Sequence, residues 1–402
     1  MGDIIYLDNS ATTPIHNNVR ERMLSVMDCF YNPSSVHKGG LEARALIENA
    51  RNEVFAAFDI PKIKRIDNAL PVGSGAIDGW RLIFTSSGTE SDNLAITGVL
   101  NAKQFKEPPH FVTTDSEHPA VLATLKRLEL QKKITLSVLS TLNGEISLDQ
   151  LKETINKNTL FLSIMTVNNE TGARYDIEGA FALAKKNNPD IITHTDAVQG
   201  FLNVPVNWRN IGCDMVTVSG HKIGAPKGVG ALLVSNKILR SKRLSPLVTG
   251  GGQEGGLRSG TENVIGISAM GMASQIHAEG MDFYYSRMQT LRDLFKSCVG
   301  SSVRINEAKN YAPHIISVTL PGIKSETMLH FLSEKGIYVS AGSACSSRNE
   351  HVSAALSSFG LPDREATSTI RISMGRQNST DDIITTAQAI LYGIETLSKQ
   401  QR

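Results

Sequence analysis

Apolar residues recur at helical spacing twice in the first sixty positions. Val19, Met23, Val26, Met27 and Phe30 predict a helix over residues 18–30. Ala43, Leu46, Ile47, Ala50, Val54 and Phe58 predict another over 42–58. The stretch "RIDNALPVGSGAIDGW" (65–80) is rich in Gly and Pro and reads as a loop. Beyond it, short apolar runs alternate with helix-like segments. "RLIF" (81–84), "HFVTT" (110–114), "LFLSIMTV" (160–167), "DIITHT" (190–195), "DMVTVS" (214–219) and "GALLVS" (230–235) read as buried strands. The alternation predicts an α/β protein with a mostly parallel sheet. In such sheets ligands bind beyond the carboxyl ends of the strands.

A helical stretch from about residue 264 to 298 leads to a second unit. Its strand-like pieces are "HIISVTL" (314–320), "YVSAGSAC" (338–345) and "TIRISMG" (369–375). A last helix opens at Ser379, where Ser379 and Asp382 have the spacing of a capping box. Its apolar face comprises Ile383, Ile384, Ala387, Ile390, Leu391, Ile394 and Leu397.

Composition narrows the function classes. A chain of 402 residues, 41% hydrophobic and 20% charged, matches an ordinary globular protein of about two domains. A net charge of +2 leaves no electrostatic footprint for nucleic acid. Cys29, Cys213, Cys298 and Cys345 are scattered, with neither a C-x-x-C pair nor zinc spacing. Neither a disulfide framework nor a metal site is therefore predicted, and a reducing compartment is. The start "MGDIIYLDNSATTP" lacks the basic and apolar segments of a signal peptide, and Tyr6 stands where a myristoylation signal needs Ser or Thr. No uncharged apolar run approaches the roughly 18 residues of a membrane span. A cytoplasmic location with no membrane partner is the expectation.

The strand ends carry the candidate chemistry. In "RLIFTSSGTESDNLAI" a strand ends and a helix starts close to Gly88 and Thr89, so free backbone amides and a hydroxyl form an anion site or merely a capped turn. In "HTDAVQG", Asp196 follows a strand and can pair with a ligand cation or cap a helix. "VTVSGHKIGAPKGVGA" sets Ser219, His221 and Lys222 in a turn after another strand. That makes Lys222 a candidate Schiff-base former, against the commoner role of a surface lysine. "TGGGQEGGLRSGTEN" packs glycines around Arg258 and Thr261, for close backbone approach or for flexibility. Together these residues supply an anion cradle, a carboxylate and a lysine on the strand ends of one sheet. Pyridoxal 5'-phosphate (PLP) needs that set. Cys345 sits apart, in "YVSAGSACSSRNEH", among small turn-forming residues. It is either an incidental surface thiol or a nucleophile that travels to its substrate.

The motifs "YLDNSATTP", "NPSSVH", "FTSSGTESDN", "EHPAV", "VNNETG", "HTDAVQ", "SGHKIGAPKGVGAL", "GGGQEGGLRSGTEN", "SAGSACSS" and "IRISMGR" follow one another along the chain. In that order they resemble the cysteine desulfurases, fold-type I PLP enzymes of the class V aminotransferase group, from Tyr6 to about Gly375. The resemblance implies a large PLP-binding domain over residues 15–262, built on a mostly parallel seven-stranded sheet flanked by helices. It implies a smaller α+β domain from residues 1–14 and 263–402, carrying the catalytic cysteine loop.

The same resemblance assigns roles. Lys222 holds PLP, Asp196 pairs with its ring nitrogen, Gln199 reaches the ring hydroxyl, and His118 stacks on the ring and moves protons. Gly88, Thr89, Ser219 and His221 hold the phosphate, joined by Thr261 from the second subunit of a homodimer. Asn169 belongs to the cofactor site and, with Arg371, binds the substrate carboxylate. Cys345 takes sulfur from L-cysteine as a persulfide and passes it to an acceptor protein for iron–sulfur cluster or thiolation pathways. A free thiol titrates near ~8.5, so Cys345 is expected to need activation on reaching the site, by His118 or by the substrate. A selenocysteine lyase, another PLP transaminase or decarboxylase, and a non-catalytic partner subunit are the competing readings. The segment 62–80 is longer than the resemblance leads one to expect, and reads as a surface loop. The short run after the last helix lacks the tail some scaffold-docking relatives use.

Overall fold

The structure is a computed structural model that describes residues 4–59, 76–77, 79–208, 210–341 and 353–400. Its larger sheet contains β1 (Trp80–Thr85), β2 (His110–Thr114), β3 (Thr135–Leu139), β4 (Thr159–Ser163), β5 (Ile192–Asp196), β6 (Met215–Ser219) and β7 (Gly230–Ser235). The spatial order is 1-7-6-5-4-2-3. β7 lies antiparallel between β1 and β6, and the other pairings are parallel, so β1 to β6 all point the same way. These seven strands are the mostly parallel sheet expected, and a two-residue strand, Ala76–Ile77, pairs antiparallel with β1 at its edge. The carboxyl ends of six strands therefore open on one edge.

Both faces of the sheet are covered, and neighbouring residues on a strand serve opposite layers. Leu82 and Phe84 of β1 pack with the helices Lys38–Ala57 and Val264–Glu279. Ile83 between them packs with the helices Gly88–Asn101 and Pro119–Leu130. β3 is an edge strand in which only Leu139 is buried. Such a strand carries no continuous apolar run, which explains its absence from the sequence expectation.

A second core gathers around β8 (Arg304–Ile305), β9 (Ile315–Thr319), β10 (Ser340–Ala341) and β11 (Thr369–Ser373). They form an antiparallel sheet in the order 8-9-11-10. The helices Met281–Val299, Ser325–Glu334 and Thr380–Gln400 contribute to this core through Phe295, Met328 and Ile383 among others. The capping box at the last helix forms as expected. Asp382 N donates to Ser379 Oγ at 3.1 Å, and Ser379 N to Asp382 Oδ2 at 2.9 Å.

Two helical expectations change. The first helix is Asn17–Val26, leaving Met27 and Phe30 outside it, 58% and 82% exposed. The stretch 264–298 is two helices, broken at Gly280. A Cβ there would stand 3.0 Å from Arg376 Nη1, and Arg376 donates to the carbonyls of Ile276 and His277 at 3.3 and 2.8 Å. Glycine thus lets a guanidinium satisfy the carbonyl groups left open at a helix C-terminus.

The N-terminal segment connects the two cores. Ile5–Tyr6 pairs in parallel with Ile337–Tyr338, Leu7 is buried in the second core, and Asp8 bridges to Ser373. Thr13 then donates from both N and Oγ1 to the His221 carbonyl, at 2.9 Å each. Residues 8–13 are thereby laid across the carboxyl edge of the larger sheet.

Candidate active site

Each turn after a parallel strand delivers one group to that edge. After β1, Ser87 caps the helix Gly88–Asn101 by accepting from Glu90 N at 3.2 Å, and Ser91 N bonds the Ser87 carbonyl. The amides of Gly88 and Thr89 stay outside the helix's own ladder, facing the positive end of its dipole. Gly88 is buried, and a Cβ there would lie 2.8 Å from Val198 Cγ2 and 3.5 Å from the Cβ of Ser219. Only a glycine lets this turn close against β6. Thr89 is exposed.

After β2, His118 caps the helix Pro119–Leu130 by accepting from Ala120 N at its Nδ1, 3.1 Å away. A bond accepted at Nδ1 leaves the proton of the neutral ring on Nε2. Burial holds the imidazole below its ordinary pKa, and the Lys222 charge pushes the same way against Asp196. Asp196 ends β5, buried, with its Oδ1 accepting from Val198 N at 2.9 Å. Burial raises its pKa, while His118, that amide and Lys222 favour the carboxylate. Gln199, one turn on, donates to the Ser10 carbonyl at 2.9 Å.

After β6 come Ser219, His221 and Lys222. Lys222 Nζ donates to the carbonyls of Ser10 and Ala11, the latter at 2.7 Å, and the side chain lines a cavity of about 340 Å³. His221 Nδ1 lies 3.3 Å from Thr12 Oγ1, and its pKa is lowered to about 4 by burial and then by the Lys222 and Lys227 charges. The Ser219 hydroxyl is buried without a hydrogen-bond partner among the described residues. A polar group so placed is costly unless a ligand completes it.

Arg371, on β11, comes to the same edge from the smaller sheet. Nη2 donates to Asp8 Oδ1 at 2.6 Å, Nη1 donates to the Asn169 carbonyl at 2.9 Å, and Nε is buried without a partner among the described residues. Thr261 stands elsewhere on this chain. It is exposed and lines a separate cavity of about 100 Å³ with Thr85, Ser86 and Arg258.

Cys345 lies outside the described residues. The residues flanking its segment are described: Ser340 pairs with Arg371, and the Ser353 hydroxyl donates to Glu170, next to Asn169. Both flanks thus belong to this edge.

Several further groups stand at this edge that neither periodicity nor spacing marks in the sequence. They are Asp8 in "YLDNSATTP", Asp92 in "TESDN", Glu117 in "EHPAV" and Glu170 in "VNNETG". Burial pushes Glu117 up to about 8 and Glu170 up to about 7. A charged residue within an otherwise polar motif gave no sign that it would be buried. Asp92, His118 and Asp196 each place one polar atom within 4.8 Å of the others, a spacing that a metal ion could also use. Lys222 beside them favours a cofactor that bonds to an amine. The orphaned Ser219 hydroxyl, the open amides at Gly88 and Thr89, and the Asp196 carboxylate fit the phosphate and ring nitrogen of PLP.

The comparisons agree. The aminotransferase class-V family matches residues 73–385. The chain is 35% identical over 402 residues to a putative cysteine desulfurase IscS 1 of Bacillus subtilis, covering 98% of this chain and 99% of that protein. It is 37% identical over 399 residues to the cysteine desulfurase IscS of Dictyoglomus turgidum, covering 98% and 95%. Among solved structures, a NifS-like protein superposes with a TM-score of 0.85 at 30% identity, over 98% of this chain and all (100%) of the other. A structure described as SspA in complex with cysteine gives 0.77 at 32% identity, over 92% and 98%. PLP is the cofactor of these enzymes, and the residues at the sheet edge suit it. The chain belongs to the class-V aminotransferase family, among the cysteine desulfurases of the IscS and NifS type.

Proposed function

We propose that the protein is a PLP-dependent cysteine desulfurase. It converts L-cysteine to L-alanine and moves the sulfur onto the Cys345 thiol, so that one thiol becomes one persulfide. The observation that carries this reading is the convergence of Lys222, Asp196, His118 and the unpartnered Ser219 hydroxyl on one sheet edge. Bound PLP supplies an electron sink that weakens the carbon–sulfur bond of the substrate.

The chain's own groups do the rest. Lys222 anchors the cofactor, and Ser219, His221 and the amides of Gly88 and Thr89 hold its phosphate. Asp196 keeps a negative charge at the ring nitrogen, and Gln199 donates toward the ring hydroxyl. Arg371 grips the substrate carboxylate, its orientation fixed by Asp8 and by the Asn169 carbonyl. His118, its pKa lowered by burial, can give a proton from Nε2 and take one once Nδ1 releases the Ala120 amide. It is also the group suited to deprotonate Cys345.

The finer features belong to the same proposal. They are a homodimer in which Thr261 completes the partner's phosphate site, a division into residues 15–262 and 1–14 with 263–402, a cytoplasmic location, and an acceptor protein that takes the persulfide sulfur. An active monomer on sedimentation would remove the role given to Thr261. The reading as a whole is tested by incubating the pure protein with L-cysteine or L-selenocysteine and a thiol reductant, then measuring sulfide, selenide and alanine. Sulfide and alanine in equal amounts are expected. Turnover of selenocysteine alone would make it a selenocysteine lyase, and a keto acid without sulfide would make it a transaminase.

A further inference from the structure

The site holds more acid than a ring-nitrogen partner requires. Asp92 on the helix Gly88–Asn101, Glu117 before the helix Pro119–Leu130, and Asp196 at the end of β5 are 1%, 6% and 4% exposed. The groups that favour a negative charge at Asp196 are His118, the Val198 amide and Lys222, and burial lowers the pKa of His118. His194, two residues before Asp196 and with Nε2 3.6 Å from Asp92 Oδ1, is also held neutral, its pKa lowered to about 3 by burial. Among the described residues Lys222 and the His118 imidazole thus face three carboxyls in a dry interior, where like charges packed together do not all ionise.

Geometry decides which carboxyl keeps the charge. Asp196 accepts the Val198 amide at 2.9 Å and senses Lys222. Among the described residues Asp92 Oδ1 is buried without a hydrogen bond, His194 Nε2 being bonded to Thr217 Oγ1 at 3.0 Å and His194 Nδ1 to Ser163 Oγ at 2.9 Å. We propose that Asp92 is a positioning residue that carries a proton beside Asp196, leaving Asp196 as the ionised carboxyl that meets the ring nitrogen of the cofactor. Burial, the Asp196 charge and Glu117 all hold the Asp92 carboxyl well above the usual range, with the Thr217 hydroxyl opposing. The inference rests on the cofactor site proposed above and deepens it.

The test uses the cofactor-loaded protein. Infrared spectra of wild type and Asp92→Asn are compared for the carbonyl band of a protonated carboxyl. The pH midpoint of the bound cofactor's absorbance and its dissociation constant are measured for wild type, Asp92→Asn and Asp92→Ala. The band is expected in wild type and reduced in Asp92→Asn by the share of the Asp92 carboxyl, the raised Glu117 and Glu170 carboxyls contributing equally to both. Asp92→Ala, which opens the floor beside Asp196, should bind cofactor about tenfold more weakly. Asn, the neutral isostere, should restore the affinity and keep the midpoint. An ionised Asp92 would betray itself through a midpoint shift of about two units in Asp92→Asn, the effect of removing a charge at this spacing. That shift, an unchanged infrared band, or an alanine variant as tight as wild type would each overturn the proposal. A wild-type protein that takes up no cofactor would overturn the functional reading itself, and with it the setting given to Asp92.

Discussion

Replacing Glu117 with glutamine should make the cofactor-free protein more stable, and only at neutral pH. In the folded chain Glu117 Oε1 accepts from Met165 N at 2.8 Å and Thr114 Oγ1 at 3.0 Å, while Oε2 is buried without a partner among the described residues. Burial raises its pKa from 4.5 to about 8, helped by the charges of Asp196 and Asp115 and opposed by those two donors. Below pH 4.5 the group is protonated folded and unfolded, and contributes no pH dependence. Between 4.5 and about 8 the folded chain keeps a proton that the unfolded chain has released, so stability falls as pH rises. Above about 8 the loss levels off. Each pH unit inside that window costs about 1.4 kcal/mol, so the loss from pH 5 to 7.5 is about 3 kcal/mol.

Glutamine keeps the Oε1 acceptor and cannot ionise, so Glu117→Gln escapes this cost. In a chain of 402 residues, 3 kcal/mol corresponds to a rise of roughly 4 °C in melting temperature. Thermal unfolding of cofactor-stripped wild type and Glu117→Gln at pH 5 and pH 7.5 reads the difference. The gap between the two should widen in favour of the variant at the higher pH. A gap that stays constant, or that turns against the variant at pH 7.5, would refute the reasoning, because Glu117 would then be ionised in the fold.

Lys222→Ala should lose the cofactor absorbance that borohydride fixes to the wild-type protein; a variant that still fixes it fully would show another anchor. Cys345→Ser should release no sulfide and carry no persulfide after one turnover, yet keep its bound cofactor. Label recovered on the peptides of Cys29, Cys213 or Cys298 would make the loop cysteine a bystander. Cys213 is the least suited to replace it, being buried in an environment that pushes its thiol pKa far up. Arg371→Ala removes charge-assisted bonds to a carboxylate and should raise KM for L-cysteine about a hundredfold with a smaller change in kcat. Equal losses in KM and kcat would mean that Arg371 supports the fold through Asp8 rather than gripping substrate.

Much of the molecule follows from local pattern. The runs that became β1, β2, β4, β5, β6 and β7 are apolar enough to be buried on both faces, and the Ser379–Asp382 cap needs only its own four residues. Lys222, Asp196 and Gly88 could be singled out because a strand followed by a tight turn limits where a side chain can go. The edge strand β3 could not be, since half of it faces solvent, and the break at Gly280 depends on Arg376, nearly a hundred residues away. The Asp8–Arg371 pair joins positions separated by 363 residues, and no periodicity encodes such a contact. The charge states of Asp92, Glu117 and Asp196 were equally beyond the sequence. A carboxyl's proton depends on the water it has lost and on the charges around it, and both exist only once the helices have closed over the sheet.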